Sequence, residues 1–382
     1  MTFTSLIRLI AIASIAGIGA SASAQITIPT VPVGDPGNNW DSNNGRGSVW
    51  YTYNIGTFEV TAGQYAAFLN AVARSDPNNL YTPDQARTDY GSGIARTGTP
   101  GSYTYTVAPA FVNRPVNYVS FWDACRFVNW LHNGQPTGAQ NASTTEDGAY
   151  TLTAAGISAN TITRNEGWRW AVTSDDEWYK AAFYKGGGTS AGYWFFPTRS
   201  NTPPTNDLND LSGNSANYRW GPGAFPIQSP YFTTVVGQFA NSPSPHGTFD
   251  MAGNVWEWTE RITSRDRVLR GGSFMSELLA VPNYPVASYG ALFHYAPQAE
   301  YFAWGFRVVQ KPPCAADFDG SAFVDADDFV FFLEQFTLGC TGPGQDVFGP
   351  NPSCVKNADF DGTSFIDADD FVAFLAAFQA GC

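Results

Sequence analysis

Two acidic stretches near the C-terminal end carry the residue types and spacing that hold a hard cation. In the first, Asp317, Asp319, Ser321, Asp325 and Asp328 occupy positions 1, 3, 5, 9 and 12 of a twelve-residue loop, with Phe323 at position 7. In the second, Asp359, Asp361, Thr363, Phe365, Asp367 and Asp370 take the same six places. Carboxylates and hydroxyls at alternate positions, joined by a backbone carbonyl from the seventh, give oxygen-only ligation of adaptable geometry, which suits calcium. Each loop holds five aspartates, and these repel one another unless a cation joins them.

The elements that must position these loops are legible beside them. Ala316–Cys340 aligns without a gap to Ala358–Cys382, and seventeen of 25 positions are identical, so the loops belong to a true repeat. Each loop runs into an apolar stripe at helical spacing: Phe329, Phe332, Leu333 and Phe336, then Phe371, Phe374, Leu375 and Phe378. Each helix is expected to bury its stripe against the other. A loop followed by one helix, duplicated, resembles the dockerin module of secreted bacterial proteins. The resemblance implies a calcium-folded docking module whose usual partner is a cohesin. Several positions depart from the EF-hand pattern. Position 12 is Asp and not the longer Glu, and the glycine sits at position 4 (Gly320, Gly362) where position 6 has Ala322 or Ser364. At the partner-facing positions stand Ala326/Asp327 and Ala368/Asp369, without the hydroxyl pair common in that family. A cohesin-like protein or another envelope or extracellular protein is therefore the expected partner.

Four of the five cysteines (Cys314, Cys340, Cys354 and Cys382) lie in this tail. Four cysteines allow three pairings; the expectation is Cys314–Cys340 and Cys354–Cys382, each closing one loop–helix unit. The tail also holds twelve acidic residues and one lysine, so most of the net charge of −13 is local to it. No basic patch for nucleic acid or an anionic membrane is present. Met1–Ala24 reads as a secretory signal: Arg8, the apolar run Leu9–Ile18, then Ser21-Ala22-Ser23-Ala24 before a cleavage site. That run is shorter than the 18–20 residues of a retained anchor, and no membrane span is expected after its removal. The domains expected are thus 1–24, a signal; 25–313, a core; and 314–382, the repeat pair. Disulfides in so small a segment agree with an oxidising compartment, outside the cell or in its envelope.

The core is rich in aromatics and poor in charge, the composition of a filled globular interior. Frequent Pro and Gly imply short strands and long irregular connections. Capping boxes open three helices, at Thr61 with Gln64, Ser120 with Asp123, and Ser174 with Glu177. Their inward faces are Tyr65, Phe68, Leu69 and Val72; then Phe121, Ala124, Cys125, Val128 and Leu131; then Trp178, Ala181 and Ala182. Strands are expected at Tyr51–Ile55, Val235–Gly237 and Phe306–Val309.

Six segments in order, Ile55-Gly-Thr-Phe-Glu-Val-Thr61, Arg114-Pro-Val-Asn117, Ser174-Asp-Asp-Glu-Trp178, Gly253-Asn-Val-Trp-Glu-Trp258, Arg270-Gly-Gly-Ser-Phe274 and Gly305-Phe-Arg307, resemble the formylglycine-generating enzyme (sulfatase-modifying factor) family from about residue 45 to 310. The resemblance implies an α+β class, with an irregular mixed α/β core related to C-type lectin-like domains, beside a small helical dockerin-like domain. It also implies copper(I) chemistry on two cysteines shortly after the Gly-Gly-Ser segment, since a soft cation needs thiolates. Here Ser276 stands where the first cysteine would be, and no cysteine follows in that stretch. Cys125, on an apolar helix face, reads as an inert buried thiol, and His132, His246 and His294 have no shared ligand spacing. No catalytic residue is assigned. Asp250, Gly253, Val255 and Glu257 are similar to a family segment that surrounds a structural calcium; the alternative is a turn with Glu257 paired to an arginine. The function expected is a secreted, non-catalytic binding or scaffold protein attached through its calcium-dependent tail. The alternative is an oxidoreductase of the same family with unrecognised metal ligands, acting on an exported protein or a small molecule.

Overall fold

The computed structural model describes residues 25–219, 223–276, 293–312, 314–318, 324–363 and 365–380. The signal reading of Met1–Ala24 and the loop positions Asp319, Ser321 and Phe323 lie outside them.

Three helices start where short-range hydrogen bonding dictates. α1 (Ala62–Val72), α2 (Phe121–His132) and α4 (Asp175–Phe183) each open with a reciprocal capping box, made by Thr61 with Gln64, Ser120 with Asp123 and Ser174 with Glu177. Each box satisfies two N–H groups that the first helical turn leaves without carbonyls. The expected inward faces are buried, and α2 goes further: all its residues except His132 are buried. A helix enclosed on all sides needs partners for its polar groups, so Asn129 donates to the carbonyls of Thr145 and Tyr150 and Arg126 pairs with Glu146. A shorter helix, α3 (Ala154–Ala159), is capped by Thr153 and ends on Asn160 in the left-handed region.

Two four-stranded sheets carry the core. The first has the order β1 (Thr30–Val33), β2 (Tyr53–Gly56), β10 (Val308–Gln310), β5 (Trp170–Val172), all antiparallel, with Val309 opposite both Ile55 and Ala171. It joins residues from the two ends of the core sequence. The second has the order β8 (Phe293–Tyr295), β7 (Asp266–Arg270), β6 (Trp256–Thr263), β9 (Trp304–Gly305), with β6 and β9 parallel. A hairpin of β3 (Ile94–Thr97) and β4 (Thr104–Val107) packs beside α1. Between these layers lies one apolar cluster, in which Phe68, Phe127 and Trp130 meet at 5.4–5.8 Å between ring centroids.

Two strand expectations are corrected. Val235–Gly237 is a turn: Gly237 has φ +72° and its N–H donates to the Asp250 carboxylate at 2.6 Å, leaving no ladder bond to make. Phe306–Val309 begins only at Val308, because Arg307 turns its side chain into the interior and separates β9 from β10.

In the tail, α5 (Ala326–Thr337) and α6 (Ala368–Ala380) place their stripes together. Phe332 and Phe374, equivalent residues of the two repeats, stack at 4.0 Å with planes 2° apart. Three short strands, β11 (Cys340–Gly342), β12 (Gln345–Asp346) and β13 (Gly349–Pro350), form a meander between the helices. The cysteine pairing is also corrected. Cys340 bonds to Cys354, which excludes both pairings expected from the sequence, because the meander brings residues 14 apart to a Cα separation of 5.4 Å. Cys314 is disulfide-bonded as well.

Candidate metal centres

The core segment Asp250–Glu257 leads into β6, and its backbone is fixed by one residue that must be glycine. Gly253 has φ +82°, and a Cβ there would lie 2.0 Å from the Asn217 carbonyl oxygen. Asn254 then accepts at Oδ1 from Thr234 N and Asn217 Nδ2. Glu257, fully buried, is the partner of Arg307: Nε and Nη2 donate to its two oxygens at 2.7 and 2.8 Å, and the Trp178 indole donates at 2.7 Å. The pairing with an arginine, one of the two readings left open for Glu257, is therefore present. Arg307 spends its remaining donors on the carbonyls of Gly56, Thr57 and Phe249, so it ties β2 and the Asp250 loop to β10.

A carboxylate not among the expected site residues completes this cluster. Glu59 is 1% exposed, and neither of its carboxylate oxygens has a hydrogen-bond partner among the described residues. Burial pushes its carboxyl well above the ordinary range, and the nearby Asp250 adds to this against the pull of Arg307. Asp250 is itself pushed up to about 6 by burial, although the Gly237 N–H favours its ionised form. Two desolvated carboxylates repel at this point with one guanidinium already neutralised by Glu257, which is a donor set short of positive charge. Glu59 and Asp250 offer oxygens of the kind a hard dication takes, and such an ion would relieve their repulsion. The sequence signals of Glu59 were its place in the resembling segment Ile55–Thr61 and an acid flanked by Phe58 and Val60 just before a helix cap.

The second acidic loop draws three of its carboxylates together. Carboxylate oxygens of Asp359, Asp361 and Asp370 lie within 4.8 Å of one another. Asp370, fully buried, is aimed by the loop's own backbone, accepting from Phe360 N and Asp361 N on one oxygen and Asp367 N on the other. Gly362 has φ +77°, so the loop turns at position 4. The Thr363 side chain and then its backbone N–H, at 3.0 Å, hydrogen-bond Asp361, and these bonds hold the exposed carboxyl below its usual range. Asp367 caps α6 by accepting from Asp369 N, while the Phe365 side chain is exposed, leaving its carbonyl as the group it can offer. In the first loop, Asp325 and Asp328 make the equivalent capping box of α5, and Asp328 is fully buried. Asp317 lies at the loop's start, its N–H on the Cys314 carbonyl.

A profile of the sulfatase-modifying factor enzyme 1-like domain matches residues 33–312. The chain belongs to that family. Three solved structures resemble it at 17–19% identity. They are CarF (18%, covering 75% of this chain and 99% of that one, TM-score 0.44), Treponema denticola variable protein 1 (19%, 76% and 97%, 0.45) and PvdO from Pseudomonas aeruginosa (17%, 74% and 92%, 0.39). No curated protein matches the chain.

Within this sulfatase-modifying-factor domain, the segment expected to carry copper thiolates begins differently. Ser276 Oγ accepts the Ser273 N–H at 2.9 Å and Ser276 N donates back to the Ser273 carbonyl, closing a tight turn after Gly271-Gly272. The hydroxyl is thus a backbone clip. Residues 277–292 lie outside the described residues. Cys125 is fully buried with its thiol pushed well up by burial. The three histidines are apart: His132 accepts from Arg169 N, His246 stacks on Tyr184, and His294 meets Asp266. Arg114 fastens a turn through Ala110 O, and Arg270 of β7 pairs with Asp175 at the start of α4.

Proposed function

We propose that this protein is a secreted, non-catalytic member of the sulfatase-modifying-factor family, working as a binding or scaffold module in the extracellular space or cell envelope. Its tail, 314–382, is a dockerin-like calcium-binding pair that attaches it to a cohesin-like or other exported protein. The observation that carries the non-catalytic half is Ser276: a hydroxyl consumed in a turn stands where copper(I) chemistry needs a thiolate. Calcium in the tail is supported by the three convergent carboxylates of the second loop. The signal-like N-terminal segment supports export, and among the described residues no helix is long and apolar enough to cross a membrane.

The test uses the purified mature chain. Calorimetry is expected to register calcium binding that Asp361→Asn diminishes, and a pull-down from secreted and envelope proteins is expected to retain a partner with calcium and release it with chelator. Incubation with copper(I) and a Cys-x-Pro-x-Arg peptide is expected to give no aldehyde. Aldehyde formation would overturn the non-catalytic reading, and calcium-independent helicity of the tail would overturn the docking one.

A further inference from the structure

The chain that enters the second acidic loop is fastened to the first repeat at several points. Cys354, five residues before Asp359, is bonded to Cys340, which follows α5 closely. Gln335 of α5, 3% exposed, accepts at Oε1 from Val355 N at 2.8 Å and Lys356 N at 3.2 Å. Thr341 bridges Asn357, and Ala358 N donates to the Cys340 carbonyl at 2.7 Å. The loop's exit is fastened to the same helix, because Asp370 stands on α6 and α6 stacks Phe374 on Phe332. α5 is therefore a common base that fixes Asp359 and Asp361 on the entry side against Asp370 on the exit side.

We infer that the Cys340–Cys354 bond sets the calcium affinity of the second loop, so that oxidation of this pair switches on tight binding at that site. The inference rests on the reading of the loop as a calcium site. Without a cation, three convergent carboxylates repel, and the fastening of their flanks acts with the loop's own backbone bonds to Asp370 to keep them together. A covalent tie removes the spread conformers from the calcium-free ensemble, so less ordering is left for calcium to impose. Opening the bond by dithiol exchange gives each sulfur one electron and one proton while the reductant closes its own disulfide. The entry chain then keeps only non-covalent holds, among them the Gln335 clamp, backbone bonds and the packing of Ala358 and Phe360 in the shared core. The repeats are asymmetric here: Ala377 occupies the place equivalent to Gln335, so the second repeat has no such amide clamp to offer the first.

The experiment is calcium titration by calorimetry on the full mature chain, comparing wild type with Cys340→Ser/Cys354→Ser, each with and without Asp361→Asn. The double serine variant is expected to bind calcium at one site roughly tenfold or more weakly, in line with the usual size of a disulfide's effect. Asp361→Asn, by silencing that site, is expected to abolish the difference. Equal affinity in wild type and the double serine variant would sink the link while leaving the calcium reading intact. No calcium binding by wild type would sink both. Gln335→Ala, which leaves the disulfide in place, is the second probe: it is expected to weaken the same site, and unchanged affinity there would overturn the proposed clamp even if the serine variant failed to fold.

Discussion

Glu300 shows how a single side chain senses the fold. Burial, reinforced by Asp123 at the start of α2, pushes its carboxyl up to about 8 from an ordinary 4.5, while a Thr82 hydroxyl bond pulls the other way. A raised folded-state value means that the native protein holds this proton more tightly than the unfolded chain. The stability it contributes is then fully present below about pH 4.5 and is lost as pH rises through about 8. Glu300→Gln removes the titration. Thermal unfolding of both proteins is expected to show wild type falling behind the variant across that window, and a constant difference would contradict the shift. Cys125 and Ser276 make the complementary point: burial raises the pKa of the thiol, and the hydroxyl accepts a backbone N–H.

Among the elements, the interruption between β9 and β10 organises the core. Arg307 leaves the strand pattern to reach Glu257 on β6, and both are fully buried. Such a pair is weakly stabilising in itself, but breaking it strands a charge in low dielectric. Glu257→Gln is expected to lose about 3–5 kcal/mol in urea unfolding; a loss near zero would show that the guanidinium finds other partners. The three capping boxes were legible in the sequence because each depends on residues three apart. The failed strand at Val235–Gly237 was not, since its fate depends on Asp250, which only the fold brings near.

For the whole molecule, the tail's two repeats share one small core of Phe318, Phe332, Ala358 and Phe374. Both helices bury their aromatic stripes in this one cluster, so they are expected to melt together. Phe374→Ala removes half of the central stack and is expected to cost about 3–5 kcal/mol. Circular dichroism of the calcium-loaded protein is the measure, and loss of only one helix's signal would contradict a shared core. The same sharing explains the disulfide. A pairing within each repeat follows from sequence symmetry, but the meander between the helices, which breaks that symmetry, brings Cys340 to Cys354.

The sequence by itself determined the ligand spacing of the acidic loops, the helix starts, the apolar stripes and the family resemblance of the core. All of these are written in short-range periodicity or ordered motifs. Only the tertiary structure decided which carboxylates lack partners, which arginine Glu257 serves and which cysteines join. Those outcomes depend on burial that gathers residues as distant as Glu59, Asp250 and Arg307 at one point, and a one-dimensional spacing carries no record of such a meeting. The acidic loops lie between these cases: their spacing points to the residues, and the fold brings the carboxylates of Asp359, Asp361 and Asp370 within 4.8 Å of one another.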